Sequence, residues 1–345
     1  MPFLFIIIIK AERVIIIRRI KYIITNETNP YKNLALEEYL LHNVRDDECI
    51  LYLWQNEKTV VIGRNQNPWK ECKVKELNQD GGKLVRRLSG GGAVYHDLGN
   101  LNFTFIACKR NYNVQKQLDV IIRAVNSLGI PAIPSGRNDI TVEEKKFSGN
   151  AFFEFKEKCY HHGTILVDVD MSSLSKYLNV SRKKLQSKGV DSVKSRVTNL
   201  INYRPDITMD ILSLELIKAF GESYGLVPIE MDISKLDARD LELRTEKFSS
   251  WDWNYGKKIE FTDSISRRFD WGDIELQMRI EGGIIQDCLV YSDGLDGELF
   301  GEIGKKLLGC LFDGQAIEKA LRGIFIDEDK RFILEDICLL IKEEI

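Results

Sequence analysis

Apolar residues along this chain recur at two spacings, and each spacing predicts a different element. Leu118, Ile121, Ile122, Val125 and Leu128 fall on one helical face, and Gly129 supplies the stop. Met209, Leu212, Leu216, Ala219 and Phe220 form another such face behind Thr208, a capping residue, with Gly225 at the end. Asn29-Pro30 predicts a third helix, because asparagine caps and proline suits the first helical position; Tyr31, Leu34, Ala35 and Leu41 follow. Residues 50–54 and 59–62 are strand-like, and residues 83–85 end a further strand. Leu101, Phe103 and Phe105 then alternate with Asn102 and Thr104, the period of a strand. After Gly163, Leu166, Val167 and Val169 continue a strand. Residues 232–246 are rich in charge and join a cluster of Trp251, Trp253 and Tyr255, and together these mark the expected domain boundary. Beyond them Ile274, Leu276, Met278 and Ile280 alternate with polar residues, Gly282-Gly283 turns, and residues 284–291 return. Residues 299–308, 316–321 and 332–341 are helical in pattern, so this end predicts a small α+β domain.

The first twenty residues depart from this picture. Apolar runs at 3–9 and 14–17 flank a charged interruption; neither reaches the ~18 residues of a membrane span. Positive charge before the run and a small-residue cleavage site are missing, so residues 1–20 are expected to be an extension outside the catalytic fold. The 345 residues are enough for one large or two ordinary domains. Their 49 basic and 52 acidic side chains leave a net charge of −3, which offers no global attraction to nucleic acid or an anionic membrane. Seven cysteines, odd in number and widely spaced, argue for reduced thiols in a cytoplasmic protein rather than a disulfide framework or zinc site.

The richest chemistry lies in Arg86-Arg87-Leu88-Ser89-Gly90-Gly91-Gly92-Ala93-Val94-Tyr95-His96-Asp97. Consecutive glycines let a backbone turn present several N–H groups to one anion. Arg86 or Arg87 can add a guanidinium fork, and Ser89 a hydroxyl. This segment resembles the lipoate-binding signature of the lipoate-protein ligases. Further segments follow in the family's order: residues 61–72, Ser135-Gly136-Arg137-Asn138-Asp139, Lys146-Phe147-Ser148-Gly149-Asn150-Ala151, His161-His162-Gly163-Thr164, Lys188-Gly189-Val190, residues 195–200 and residues 249–256.

The resemblance implies a large mixed β-sheet flanked by helices over residues 21–255, with a smaller accessory domain over 256–345. It implies ATP-dependent activation of lipoate or octanoate to an acyl adenylate, then transfer to a lysine ε-amine. The acceptors implied are lipoyl domains of 2-oxoacid dehydrogenase E2 subunits and the glycine cleavage H protein. Activation is needed because a free carboxylate oxygen is a poor leaving group, and the site must hold that carboxylate against the α-phosphate beside a cation. Lys146 is the expected catalytic residue, touching both lipoate and phosphate. Arg87, Gly92, Ala93, Val94, Tyr95, Asn138, Asp139 and Lys188 are expected to bind ATP. Ser89, Gly90, Gly91, His96, Ser148, Gly149 and His162 are expected to bind lipoate. Asp139 is the candidate Mg²⁺ ligand, although an Asx turn would also explain Asn138-Asp139. His162 is equally open to a reading as a satisfied core histidine.

Residues 182–196, interspersed with lysine and arginine, suggest a flap over phosphates, and the expected protein is a monomer. Two other functions compete. An octanoyl or lipoyl transferase would need a cysteine thioester, for which Cys159 is the one candidate. A non-catalytic lipoate-binding protein would use the glycine loop without releasing pyrophosphate.

Overall fold

A computed structural model describes residues 17–136, 139–179, 197–256 and 259–345. Its centre is an eight-stranded mixed sheet in the order β11-β1-β2-β6-β10-β9-β8-β7. These strands are β1 (Arg19–Ile24), β2 (Glu48–Trp54), β6 (Asn100–Cys108), β7 (Ile133–Ser135), β8 (Asp139–Val142), β9 (Lys145–Phe155), β10 (Lys158–Leu166) and β11 (Pro228–Glu230). β1 runs parallel to β2 and β11, and the other pairings are antiparallel. A second sheet, β4-β3-β5, combines β3 (Thr59–Ile62), β4 (Lys83–Arg86) and β5 (Val94–His96).

Helix α1 (Pro30–Asn43) starts where Asn29 accepts the Tyr31 N–H. Short helices α2 (Pro68–Glu71) and α3 (Val74–Gln79) connect the small sheet. One face of the large sheet packs against α4 (Val114–Ser127) and, after α5 (Met171–Tyr177), α6 (Met209–Tyr224), through Val120, Ile121, Leu212, Leu216 and Phe220. Gly225 ends α6 in the left-handed region at φ 66°, a conformation open to glycine without Cβ strain. The opposite face meets α1 and α7 (Ala238–Ser249), whose Phe248 is fully buried. Helix α8 (Trp251–Tyr255) follows. Burying a side chain of this kind contributes ~1.5–3 kcal/mol.

The last segment has its own core. β12 (Asp263–Phe269), β13 (Gly272–Glu281) and β14 (Ile284–Ser292) form an antiparallel sheet under α9 (Gly297–Leu307), α10 (Gly314–Arg322) and α11 (Arg331–Glu344). No helix among the described residues is long and apolar enough to cross a membrane.

Three sequence expectations need correction. Residues 1–16 lie outside the described residues, but Arg19 begins β1 and Ile20 is fully buried in the sheet core, so the fold starts before residue 21. β10 runs unbroken through Gly163 and stops at Leu166, leaving Val167 and Val169 in a buried loop. The charged stretch expected as a boundary contains α7. Its charges have partners, since Arg244 and Lys247 reach Glu38 of α1 at 3.3 and 2.6 Å.

Candidate active site

Residues directly opposite each other on antiparallel strands share a face. Trp54, Asn102, Thr164, Gly149 and Asp139 are paired in succession and so form one row across five strands. Thr104, His162 and Ala151 form the next. Trp54, Asn102, Thr164, Gly149, His162 and Ala151 of these rows floor a cavity of about 320 Å³, near the lower end of the ~300–1,000 Å³ usual for small-molecule pockets. Val61 of the small sheet and Arg87, just after β4, make its roof with the stretch from Gly91 to His96. Leu34, Leu166, Leu174 and Leu178 supply apolar wall, suited to an acyl chain.

Lys146 reaches this cavity through a β-bulge. Ile140 faces Ser148, whereas Thr141 faces Lys146, which leaves Phe147 as an extra residue on β9. Phe147 enters the core, and the strand's parity switches, so Lys146 lines the same cavity as Gly149 and Ala151. Residues three apart on a regular strand would face opposite ways. A Cβ added to Gly149 would stand 2.8 Å from both Cε and Nζ of Lys146, so the lysine lies directly over that glycine. Its Nζ meets Asp139 Oδ1 at 2.7 Å. The Lys146 carbonyl accepts the Thr198 N–H at 2.9 Å, tying its backbone to the segment after residue 196.

The two arginines are turned inward. Arg86 donates to the carbonyls of Gly63, Arg64, Gln66, Trp253 and Asn254 at 2.7–3.2 Å, fastening the 63–66 loop and α8 to β4. Arg87 donates to the carbonyls of Val61, Gly90 and Gly92 and to Ser89 Oγ. Burial pushes both guanidinium groups down to about 10, which still leaves them charged at neutral pH. Arg87 therefore lines the cavity mainly as scaffold of the glycine turn, by drawing the carbonyls of Gly90 and Gly92 toward itself. Gly91 takes φ 91°, and its N–H donates to the Gly294 carbonyl of the C-terminal domain at 3.0 Å. That domain adds Leu295 to the cavity wall. It is also tied down by Ser292 N–H to the Asn65 carbonyl, Asn65 Nδ2 to the Gly297 carbonyl, and Lys70 to Glu275.

Both histidines of the sequence reading line the cavity, in different roles. Asn56 Nδ2 donates to His96 Nδ1 at 3.2 Å, and burial pushes the His96 ring down to about 3, keeping it neutral. His162 bridges Ser89 Oγ, 2.7 Å from its Nε2, and Glu37 Oε1, 2.8 Å from its Nδ1. Cys159 is buried on β10, and burial pushes its thiol up to about 12. A thiol in that environment supplies no nucleophilic thiolate at neutral pH.

The cavity thus gathers Arg87, Gly91, Gly92, Ala93, Val94, Tyr95, His96, Lys146, Gly149 and His162. Asp139 joins through its contact with Lys146, and Ser89 through His162. Gly90 packs against the Gly294-Leu295 backbone instead, and Ser148 is fully buried without lining the cavity. Asn138, Lys188 and the flap proposed at 182–196 lie outside the described residues. Sequence reasoning missed Trp54, Asn102, Thr164, Glu37 and Leu295. One signal was present: Asn100, Asn102 and Thr104 alternate with the apolar residues of β6, yet all are buried, because Asn102 lines the cavity, Asn100 bonds to it and Thr104 bonds to Glu37 of α1.

Comparison with known proteins agrees with this layout. The model of the lipoyl protein ligase A/B catalytic domain matches residues 29–221, and that of the bacterial lipoate protein ligase C-terminus matches residues 258–341. Lipoate-protein ligase A of Blochmanniella floridana is 40% identical, over 87% of this chain and 91% of its own. That of Psychrobacter cryohalolentis is 42% identical, over 84% of this chain and 88% of its own. Among solved structures, P. falciparum LipL1 in complex with lipoate superposes with a TM-score of 0.83 at 32% identity, covering 94% of this chain and 100% of that one. A bipartite lipoate protein ligase from Thermoplasma acidophilum, studied with its E2 lipoyl domain, gives 0.64 at 28% identity, covering 71% and 99%. A lipoate-protein ligase A bound with ATP gives 0.60 at 28%, covering 69% and 98%. With relatives this similar over nearly their whole length, the chain belongs to the lipoate-protein ligase A family.

Proposed function

We propose that this protein activates free lipoate with ATP at the cavity under the glycine turn and then passes the lipoyl group to a lysine of a carrier domain. The observation that carries the reading is Lys146, swung by the bulge onto the cavity face and held over Gly149 opposite the turn. A carboxylate entering the apolar tunnel tail-first brings its oxygens to the mouth, where the Lys146 ammonium offsets its charge and the charge growing on the α-phosphate. The ion pair with Asp139 keeps that ammonium in place before substrate arrives. Attack of the carboxylate oxygen on the α-phosphorus expels pyrophosphate and leaves the mixed anhydride. In the second step a deprotonated lysine amine attacks the acyl carbon, and AMP departs.

Asp139 suits Mg²⁺ as a hard oxygen donor at the mouth. Among the described residues no three His, Cys, Asp or Glu side chains are grouped to hold a metal alone, so an ion there would complete its shell from ATP and water. When bound, it would offset negative charge on the phosphates of ATP. Arg87, by shaping the turn, and Gly92 to Tyr95, by lining it, form the nucleotide side; His96, Gly149 and His162 border the acyl side. Lipoyl domains of E2 subunits and the glycine cleavage H protein are the proposed acceptors, served by a monomer in the cytoplasm. The raised Cys159 thiol speaks against the thioester transferase.

The test uses ATP, free lipoate and a purified lipoyl domain. Pyrophosphate release and a lipoyl-sized mass gain on the domain, both dependent on ATP, are expected. Tight lipoate binding with no pyrophosphate would identify a binding protein instead.

A further inference from the structure

Glu37 sits on α1, only 1% exposed, in a stretch whose sequence shows nothing but a helix face. Its Oε1 accepts the Thr104 hydroxyl at 2.7 Å and lies 2.8 Å from His162 Nδ1. Trp54 Nε1 in turn donates to Thr104 Oγ1 at 3.1 Å. On the other side His162 Nε2 is 2.7 Å from Ser89 Oγ, which accepts from Arg87 Nε at 3.0 Å. Arg87 then holds the carbonyls of Gly90 and Gly92 at 2.7 and 2.8 Å. These contacts form one unbroken relay from the acyl-chain wall at Trp54 to the glycine turn.

The directions of donation are set by Glu37. Thr104 Oγ1 receives the Trp54 N–H and donates to Glu37 Oε1, so that oxygen is an acceptor and His162 Nδ1 carries the proton that faces it. With that proton committed to Nδ1, Nε2 is the ring nitrogen that can accept the Ser89 hydroxyl. Ser89 Oγ then offers its lone pairs to Arg87. Take the carboxylate away and the imidazole can present the other tautomer, in which Nε2 donates to Ser89 Oγ and the Ser89 hydroxyl loses its acceptor on the ring. The Ser89 proton must then turn to the Gly90 carbonyl, 3.5 Å away, which Arg87 already holds at 2.7 Å, so the turn's anchoring changes in a buried network where each polar group depends on the next.

We propose that Glu37 is a positioning residue, which fixes the tautomer of His162 and through Ser89 and Arg87 sets the glycine turn for adenylation. The proposal rests on the ligase reading above for its kinetic consequence, but not for its structural one.

The test compares Glu37→Gln, Glu37→Leu and Glu37→Asp in the full chain, using lipoate-dependent ATP–pyrophosphate exchange and the ¹⁵N shifts of the His162 ring. Glutamine keeps an accepting oxygen at the same reach, so exchange within about threefold of wild type and a protonated Nδ1 are expected. Leucine should lower kcat about thirtyfold, raise KM for lipoate less than threefold, and move the ring shifts toward the other tautomer. If the leucine variant does not fold, aspartate serves. Its carboxylate falls short by one methylene, and about a tenfold loss in kcat with the same change in ring shifts is expected. Wild-type exchange in a folded leucine or aspartate variant overturns the proposal. So does lost exchange with unchanged ring shifts, which would make Glu37 merely structural. Absence of exchange in wild type, with Nδ1 protonated and the tautomer lost in the variants, would sink the ligase reading and leave the relay standing.

Discussion

Gly149→Ala separates the stability of the fold from the placement of Lys146. The new Cβ would lie 2.8 Å from Cε and Nζ of Lys146, with no other heavy atom in its way. Ordinary contacts between non-bonded carbon atoms begin near ~3.5 Å, so the end of the lysine must move by roughly 0.7 Å. A lysine tip is flexible, and alanine tolerates the backbone of a strand, so stability should change by less than about 1 kcal/mol. The same shift lengthens the 2.7 Å contact with Asp139 and moves the ammonium off its station. Misplacement by ~1 Å can cost about a hundredfold in rate, so a loss of tenfold to a hundredfold in lipoate-dependent ATP–pyrophosphate exchange is expected. Lys146→Ala should lose at least about a hundredfold, because a preorganised charge of this kind is worth on the order of 3 kcal/mol in a transition state. Combining the two substitutions should add little, since both act on one ammonium. Urea unfolding checks the first claim and exchange kinetics the second. A folded Gly149→Ala enzyme with wild-type exchange would refute the reasoning.

Three further outcomes follow from the interior. Arg86→Lys keeps the charge but can donate at most three hydrogen bonds where five carbonyls now accept, so urea denaturation should show a loss of about 2–4 kcal/mol; an unchanged midpoint would remove Arg86 from the scaffold. Cys159→Ala should keep lipoyl transfer within about twofold, and a tenfold fall would revive a thioester route. His96 and His161 are held near 3 by burial, against an ordinary value of 6.5. Since the unfolded chain then binds more protons, stability is complete above pH 6.5 and falls as pH drops toward 3, by up to about 1.4 kcal/mol per unit per ring. Unfolding at pH 5.5 should take up about one proton fewer in His161→Gln, and equal uptake would contradict the burial argument.

The sequence was most legible where a single local rule acts. Asn29-Pro30 and Thr208 with Gly225 mark helix ends because caps and left-handed turns depend on one or two residues. The hairpin at Gly282-Gly283 is visible for the same reason. α7 was hidden because its polarity is met by ion pairs to Glu38, a partner some 200 positions away in the chain. The bulge at Phe147 was hidden too, since register depends on β8, yet it decides which way Lys146 points. The glycine turn was found from its composition, but its use was only half seen. Arginine beside glycine suggests an anion fork, whereas here Arg87 is occupied by the turn's own carbonyls and Gly91 by Gly294. Glu37 carried no signal at all, because a buried carboxylate is recognisable only by what faces it.

The central claim is that Lys146, over Gly149, is where a lipoate carboxylate meets the α-phosphorus of ATP. Its most direct test is the exchange of labelled pyrophosphate into ATP by wild type and Lys146→Ala, each with and without lipoate. Exchange that appears only with lipoate, and only in wild type, is the predicted result; a folded Lys146→Ala protein that exchanges at the wild-type rate would contradict it.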